Sequence, residues 1–289
     1  MEEDDAVELV IEPRRRPVGN GEVRRVLPWR GRRMIGPFIF ADLMGPDDVA
    51  PGAGVDVDAH PHIGLSTLTY LVAGRLVHRD STGVVQTIEA GDVNWMTAGA
   101  GVCHTERTAP EDRPVATVLH GVQTWVALPG EVEDGEAWFQ HTSRDDLPSD
   151  GDDRARVRLV AGEGWGMQSP VAVSSALVLA ELRLAGGNVE LDARPPERGV
   201  LVLDGRITID GRPLEEGRLA VVEPGRRPVV GGEGRAVVLG GEPVGKRFIW
   251  WNFVHSSQDR IEEAKRDWTA QCFPLVPDDH DPWVPLPGA

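Results

Sequence analysis

Cysteine is nearly missing from this chain, with two residues, Cys103 and Cys272, in 289. Two thiols make no disulfide framework, so a reducing cytoplasm is the expected location. Long apolar runs are missing as well. None approaches the roughly 20 residues that a membrane helix requires, and no association with a membrane is expected. Positive charge is in deficit, 30 Lys and Arg against 46 Asp and Glu, for a net charge of −16. Direct binding of nucleic acid draws on clustered cations that displace phosphate counterions, and this balance argues against it. The first residues, Met1-Glu2-Glu3-Asp4-Asp5, are acidic where a secretory leader is positive, so no signal peptide is expected. No glycine-rich phosphate loop is present, which leaves ATP and dinucleotide chemistry without sequence support. Local basic runs do exist, at Arg14-Arg15-Arg16, Arg24-Arg25, Arg30, Arg32 and Arg33. They read as a solvated hairpin paired with acidic surface rather than as a docking face for an anion.

What the chain has in quantity is turn residues, 34 glycines and 23 prolines, which suit many short strands. Its length is enough for two domains of ordinary size. An internal echo supports that division. Leu71-Val72-Ala73-Gly74-Arg75-Leu76 followed by Gly91-Asp92-Val93 is answered by Leu201-Val202-Leu203-Asp204-Gly205-Arg206-Ile207 followed by Gly217-Arg218-Leu219-Ala220-Val221. Both copies read as strand, glycine turn, strand, glycine turn, strand. The predicted division is 1–145 and 146–289, with the linker inside Asp145–Asp153, where Pro, Ser, Gly and Asp cluster. One helix is predicted near the C-terminus, capped by Ser256 or Ser257, with Asp259 in its first turn and Ile261, Ala264, Lys265 and Trp268 on one face. After it, Pro274, Pro277, Pro282, Pro285 and Pro287 keep the tail extended. Trp250 and Trp251 read as core residues.

The chemistry-bearing feature is His60-Pro61-His62, answered by His104-Thr105-Glu106. Residues i and i+2 of a strand point to the same face, so two facing strands could present three imidazoles and a carboxylate to one point. An H-x-H alone is a weak signal, because a lone His is most often a core or surface residue. The second pair and the strand-like surroundings strengthen it: Ile63 to Gly74 reads as a strand, Gly91 to Met96 as a turn into another, and Ala98 to Gly101 as small residues that let backbone pass close to a ligand. Three His and one Glu around an octahedral ion leave two positions open, whereas a structural zinc is more often a closed, cysteine-rich tetrahedron. The second half has no His between His141 and His255 and cannot build the same site. His78 reads as a neighbour of the ligands or a surface residue. Cys103 should point away from His104 by strand alternation, and His120, His141, His255 and His280 lack partners at ligand spacing.

In their order and density these residues resemble the pirin family of bicupins: His60-Pro61-His62-Ile63-Gly64-Leu65, Thr69-Tyr70, His78-Arg79-Asp80, Gly91 to Gly99 and His104-Thr105-Glu106, then Gly241-Glu242-Pro243 and Arg247 to Phe253. The resemblance implies an all-β fold of two tandem jelly-roll-like cupin barrels with a short C-terminal helix. It implies one divalent metal ion in the N-terminal barrel, held by His60, His62, His104 and Glu106. Iron(II) is the family's usual metal, with Zn, Mn, Ni, Co and Cu left open. Members of the family have quercetin 2,3-dioxygenase activity, so the expected partners are dioxygen and a flavonol or related enol-bearing small molecule, with Glu106 as ligand and general base. The mammalian member is described as an iron-dependent nuclear cofactor of transcription factors, which makes a redox switch acting on a protein partner the alternative. Ile63 and Ser66 stand where many pirins have Arg and Glu, a departure expected to alter the surroundings of the histidines or the substrate mouth.

Overall fold

Alternating side chains and frequent glycine turns produce a chain of short strands. The computed structural model describes residues 6–288, so the acidic run Met1–Asp5 lies outside them. In chain order the elements begin with β1 (Val7–Ile11), β2 (Arg14–Val18), β3 (Gly21–Leu27), β4 (Phe38–Val49), β5 (Asp56–His62), β6 (Leu65–Ala73), β7 (Arg75–Asp80) and β8 (Val85–Glu89). They continue with β9 (Val93–Thr97), β10 (Val102–Arg107), β11 (Thr117–Ala127), β12 (Trp138–Thr142), β13 (Ser149–Gly151), β14 (Ala155–Gly164) and β15 (Met167–Gln168). The last are β16 (Leu177–Glu190), β17 (Glu197–Ile209), β18 (Arg212–Leu214), β19 (Leu219–Val222), β20 (Val229–Gly241), β21 (Phe248–Trp250), β22 (Phe253–His255) and α1 (Gln258–Thr269). The architecture is all-β as expected, and α1 is the one helix among the described residues. No helix there is long and apolar enough to cross a membrane.

The chain forms two compact units, but not by a single cut at residue 145. The first unit comprises residues 15–23, 44–141 and 244–289; the second comprises 6–14, 24–43 and 142–243. One boundary falls at 141/142, close to the expected one, and the rest of the division is interleaved. Pairing explains why. β1 lies antiparallel to β19, from Val7 opposite Val222 to Ile11 opposite Leu219, and so belongs to the second unit. At the other end, α1 buries Ile261, Ala264 and Trp268 against Ala59, Ile63, Cys103 and Phe253 of the first unit. The predicted linker is also revised: within it β13 pairs with β14, Ser149 opposite Arg158, as part of the second unit's sheet.

In the first unit a four-stranded sheet runs β5-β10-β7-β8. A second sheet runs β12-β9-β6-β11 and continues past β11 through β4, β3 and β2; the chain passes between units within β3 and β4. β6 is buried on both faces from Leu65 to Val72. The inner faces of the two sheets meet, as the contacts of the site below demonstrate. β5 is an edge strand, which is why Pro61 is tolerated in it. That edge is covered by the C-terminal tail: Trp283 forms a parallel bridge with Ala59, and the Val284 N–H donates to the Ala59 carbonyl at 2.8 Å. Covering an edge removes a template for unwanted pairing. The tail is tied to the helix as well, by the Trp268 indole N–H on the Val284 carbonyl at 2.9 Å.

α1 begins at Ser257 as N-cap, but without a side-chain cap bond. Glu133 takes the neighbouring Ser256 instead, through its backbone N–H at 3.0 Å and its hydroxyl. Lys265 sits at the rim of the helix's buried face, its ammonium 4.6 Å from the Trp250 ring. Trp250 and Trp251 are half-buried and pack on the same aromatic cluster.

The second unit is built on the antiparallel sheet β1-β19-β17-β20-β16-β14-β13, with β15 and β18 paired to β14 and β17. Irregular registers between Leu159 and Ala161, Ala185 and Asn188, and Val202 and Asp204 bend it. Its interior is aliphatic, including Leu159, Leu182, Val189, Val202, Ile207, Val222, Val230 and Val238. Four arginines of the basic runs near the N-terminus pair with carboxylates: Arg15 with Glu22 at 2.7 Å, Arg24 with Glu216 at 2.9 Å, Arg25 with both oxygens of Asp42 at 2.8 Å, and Arg32 with Glu8.

Candidate metal centre

Strand alternation puts His60 and His62 on one face of β5, and the antiparallel register sets His104 of β10 directly opposite His60. All three side chains are buried. Each offers a ring nitrogen within 4.8 Å of the other two, and the His62 and His104 Nε2 atoms are 3.1 Å apart. Hydrogen bonds at the far side of two rings set which nitrogen faces inward. His60 donates from Nδ1 to the Asp58 carbonyl at 2.8 Å, and His62 from Nδ1 to the Asn252 carbonyl at 3.1 Å. A carbonyl only accepts, so both rings carry their proton on Nδ1 and present an Nε2 lone pair to the cluster.

Electrostatics keeps these lone pairs free of protons. Burial, opposed by the hydrogen bond to Asp58, brings His60 down to about 4. Burial and then the neighbouring His60 hold His62 and His104 well below the usual imidazole range. Three buried, neutral imidazoles converging on one point are the donor set that a divalent transition metal requires, and the residues present fit such an ion.

Glu106 shares β10 with His104 but stands outside the group of mutually close donor atoms. The β5–β10 register slips between His104, opposite His60, and Glu106, opposite Val57. On its other side Glu106 faces His78 of β7. It accepts a hydrogen bond from the Thr69 hydroxyl of β6 at 3.4 Å. Burial raises its carboxyl above the usual range, and His78 and Thr69 only partly offset this.

The remaining walls come from the second sheet. Trp125 of β11 meets His62 edge-on at 5.1 Å between ring centres, and Phe139 of β12 stacks on His78 at 4.7 Å. His78 is buried, not superficial, with Nδ1 3.3 Å from Nδ1 of His104. Cys103 points away from the cluster, as alternation predicts, into the packing around Phe253 and Trp268. Burial pushes its thiol up to about 12, which leaves it inert. His141 bonds Asn94 at 2.8 Å, His255 lies 3.2 Å from Asp134, and His280 reaches the Val276 carbonyl, so each has a structural partner. Ser66 is fully buried and shares a hydrogen bond with Thr97 at 2.8 Å, while Ile63 belongs to the aromatic cluster beneath α1. Sequence reasoning missed Asn252, Thr69, Trp125 and Asp80. Thr69 has the parity of an inward position on its strand. Asn252, 190 residues from His62, gives no local signal.

The Pirin profile matches residues 20–126, and the profile of the Pirin C-terminal cupin domain matches 179–274. A pirin-like protein of Caulobacter vibrioides is 46% identical over 287 residues, 97% of this chain and 99% of that one. A crystal structure of quercetin 2,3-dioxygenase from Acinetobacter baumannii superimposes with a TM-score of 0.89 at 33% identity, covering 97% of this chain and 95% of that one. Another quercetin 2,3-dioxygenase structure from the same organism gives 0.86 at 28% identity, covering 92% and 97%. With two cupin domains, each matched by its own profile, the chain belongs to the pirin family of bicupins.

Proposed function

We propose that the protein is an oxidoreductase of the pirin type, which binds one divalent metal ion through His60, His62 and His104, with Glu106 as a further ligand and general base, and oxygenates a flavonol or related enol-bearing small molecule. The observation that carries this reading is the convergence of three buried, neutral imidazoles beside a carboxyl held above its usual range. Iron(II) is the metal favoured by the family, and the similarity to the Acinetobacter quercetin 2,3-dioxygenases supports the substrate class. A metal in this position would act as a Lewis acid toward an enolate oxygen and provide the site for dioxygen.

The protein's own contribution starts with Glu106. Burial raises its carboxyl above the usual range in the metal-free protein, and as a carboxylate within reach of the substrate it would accept the hydroxyl proton of an incoming enol. Thr69 holds one of its oxygens, so the carboxylate has a fixed orientation when the proton arrives. Trp125 edge-on to His62 and Phe139 stacked on His78 give the cluster apolar surroundings.

The deciding experiment is anaerobic purification with elemental analysis, followed by dioxygen uptake on quercetin, with His62→Ala as control. One equivalent of iron and uptake that vanishes in the variant is the expected result. One equivalent of metal without turnover on quercetin overturns the flavonol assignment, and absence of metal overturns the whole reading. The redox switch on a protein partner draws no support from the site's geometry.

A further inference from the structure

Two residues behind the cluster take no part in the chemistry above, yet they are as deeply buried as the ligands. β7 carries His78 and Asp80 on one face, and its register with β10 sets Asp80 opposite His104 and His78 opposite Glu106. His78 and Asp80 are 4% and 0% exposed, and a buried carboxylate requires a reason. Its two oxygens have separate tasks. Oδ1 accepts from the Thr82 N–H at 2.8 Å, the Thr82 hydroxyl at 2.6 Å and the Val84 N–H at 3.3 Å. Oδ2 is left for Nε2 of His78 at 3.1 Å. Burial pushes Asp80 upward, but the bonds from His78 and Thr82 outweigh it and keep the group ionised. An ionised carboxylate only accepts, so His78 must donate from Nε2. The other nitrogen of His78 lies 3.3 Å from Nδ1 of His104, within reach for the two to share one proton. Stacking on Phe139 holds the plane of the His78 ring in this alignment.

We propose that Asp80 and His78 form a positioning relay that keeps the proton of His104 on Nδ1 and so turns its Nε2 lone pair toward His60 and His62. The relay rests on the metal-binding reading of the cluster and supplies what the backbone does not. The Asp58 and Asn252 carbonyls fix the tautomers of His60 and His62, whereas the Nδ1 partner of His104 is a side chain that can itself exist in two tautomers. Asp80 removes that ambiguity. With His78 protonated on Nε2, its bare Nδ1 accepts from His104, and the two Nε2 atoms 3.1 Å apart both face the centre as lone pairs. The opposite arrangement puts the His104 proton on Nε2, between it and His62, and strips His104 of its inward lone pair.

The isosteric substitution Asp80→Asn tests this directly. The three donors on Oδ1 hold the amide oxygen in place, so the amide nitrogen faces His78 and donates to its Nε2. His78 then takes its proton on Nδ1, in conflict with the His104 Nδ1–H. His78→Phe keeps the stack on Phe139 and deletes the acceptor without adding an opposing donor. The experiment is Zn(II) affinity by chelator competition on the full chain, together with two-bond 1H–15N correlation spectra of the histidine rings in Zn(II)-loaded protein at pH 8. The expected wild-type spectrum has His78 protonated on Nε2 and His104 on Nδ1. Asp80→Asn should weaken Zn(II) binding about 10–100-fold, and His78→Phe by less. The double variant should match His78→Phe alone, because Asp80 acts only through His78. A wild type with His78 protonated on Nδ1, Asp80→Asn protein that binds as tightly as wild type, or single effects that simply add would each overturn the relay. Failure of the wild type to bind Zn(II) overturns the metal reading itself, and is distinguished from the other results by needing no variant.

Discussion

The two units repeat the same backbone device and fill it with opposite chemistry. In the first unit Gly74 and Gly91 take φ of 82° and 92°; in the second, Gly205 and Gly217 take 80° and 78°. A Cβ at Gly74 would lie 2.4 Å from the Val118 carbonyl, and one at Gly205 would lie 2.3 Å from that of Glu233. In both, a glycine is needed because a neighbouring strand passes too close and the turn is left-handed. The interiors then diverge. The second unit closes on branched aliphatic side chains, and its buried guanidinium, Arg198, donates from its two terminal nitrogens to the carbonyls of Asp192, Arg226 and Glu223. The first unit turns three imidazoles, Glu106, Thr69 and the Asp80–His78 pair inward. Glycine and alternation build the scaffold, and a handful of inward positions sets the chemical character of its interior.

That contrast can be broken most completely by His62→Ala, which should reduce metal content to background and abolish turnover while the second unit melts as before; elemental analysis and calorimetry check both halves. Next in size, Glu106→Gln should lower turnover about 10²–10⁴-fold with metal content largely kept, and unchanged turnover would remove its role as base. On the other side of the comparison, Leu182→Ala empties part of the aliphatic interior and should cost about 2–5 kcal/mol in denaturant unfolding, with metal stoichiometry unaltered. The smallest effect expected is a difference in pH response of the metal-free protein. Unfolded His60 takes up a proton near 6.5 and the folded residue only near 4, so within that window the unfolded state binds more protons. Stability is therefore intact above pH 6.5 and falls with pH toward 4, by about 2 kcal/mol between pH 7 and 5 for this residue alone. His60→Leu should flatten that slope, and urea titrations at the two pH values would detect it.

The parts of this contrast that are local were legible in the sequence. His60, His62 and His104 were readable because period-two spacing is a property of the strand itself, and Cys103 was placed correctly by the same rule. The face of α1 was readable from Ile261, Ala264 and Trp268. Its N-cap, Ser257, was one of the two residues expected, but the missing side-chain cap bond was not legible, since the loop residue Glu133 claims the neighbouring Ser256 from 123 positions away. Interleaving of the units escaped for the same reason. Nothing in Val7–Ile11 says that its partner is β19, because an edge strand's neighbour is chosen by register and burial after the chain has folded. Asp80 was visible as part of a His-x-Asp pair, but its buried setting and its link to His104 depend on the β7–β10 pairing.

The covered edge of β5 has a consequence in time. His60 and His62 are synthesised early, yet the carbonyl that orients His62 belongs to Asn252, and the chain that closes the strand's open side belongs to Trp283 and Val284. While the polypeptide is still growing, the cluster has its ligands but neither its orienting carbonyl nor its cover. If the cluster takes an ion as proposed, it meets that ion in its final surroundings only once Asn252, Trp283 and Val284 have docked on β5.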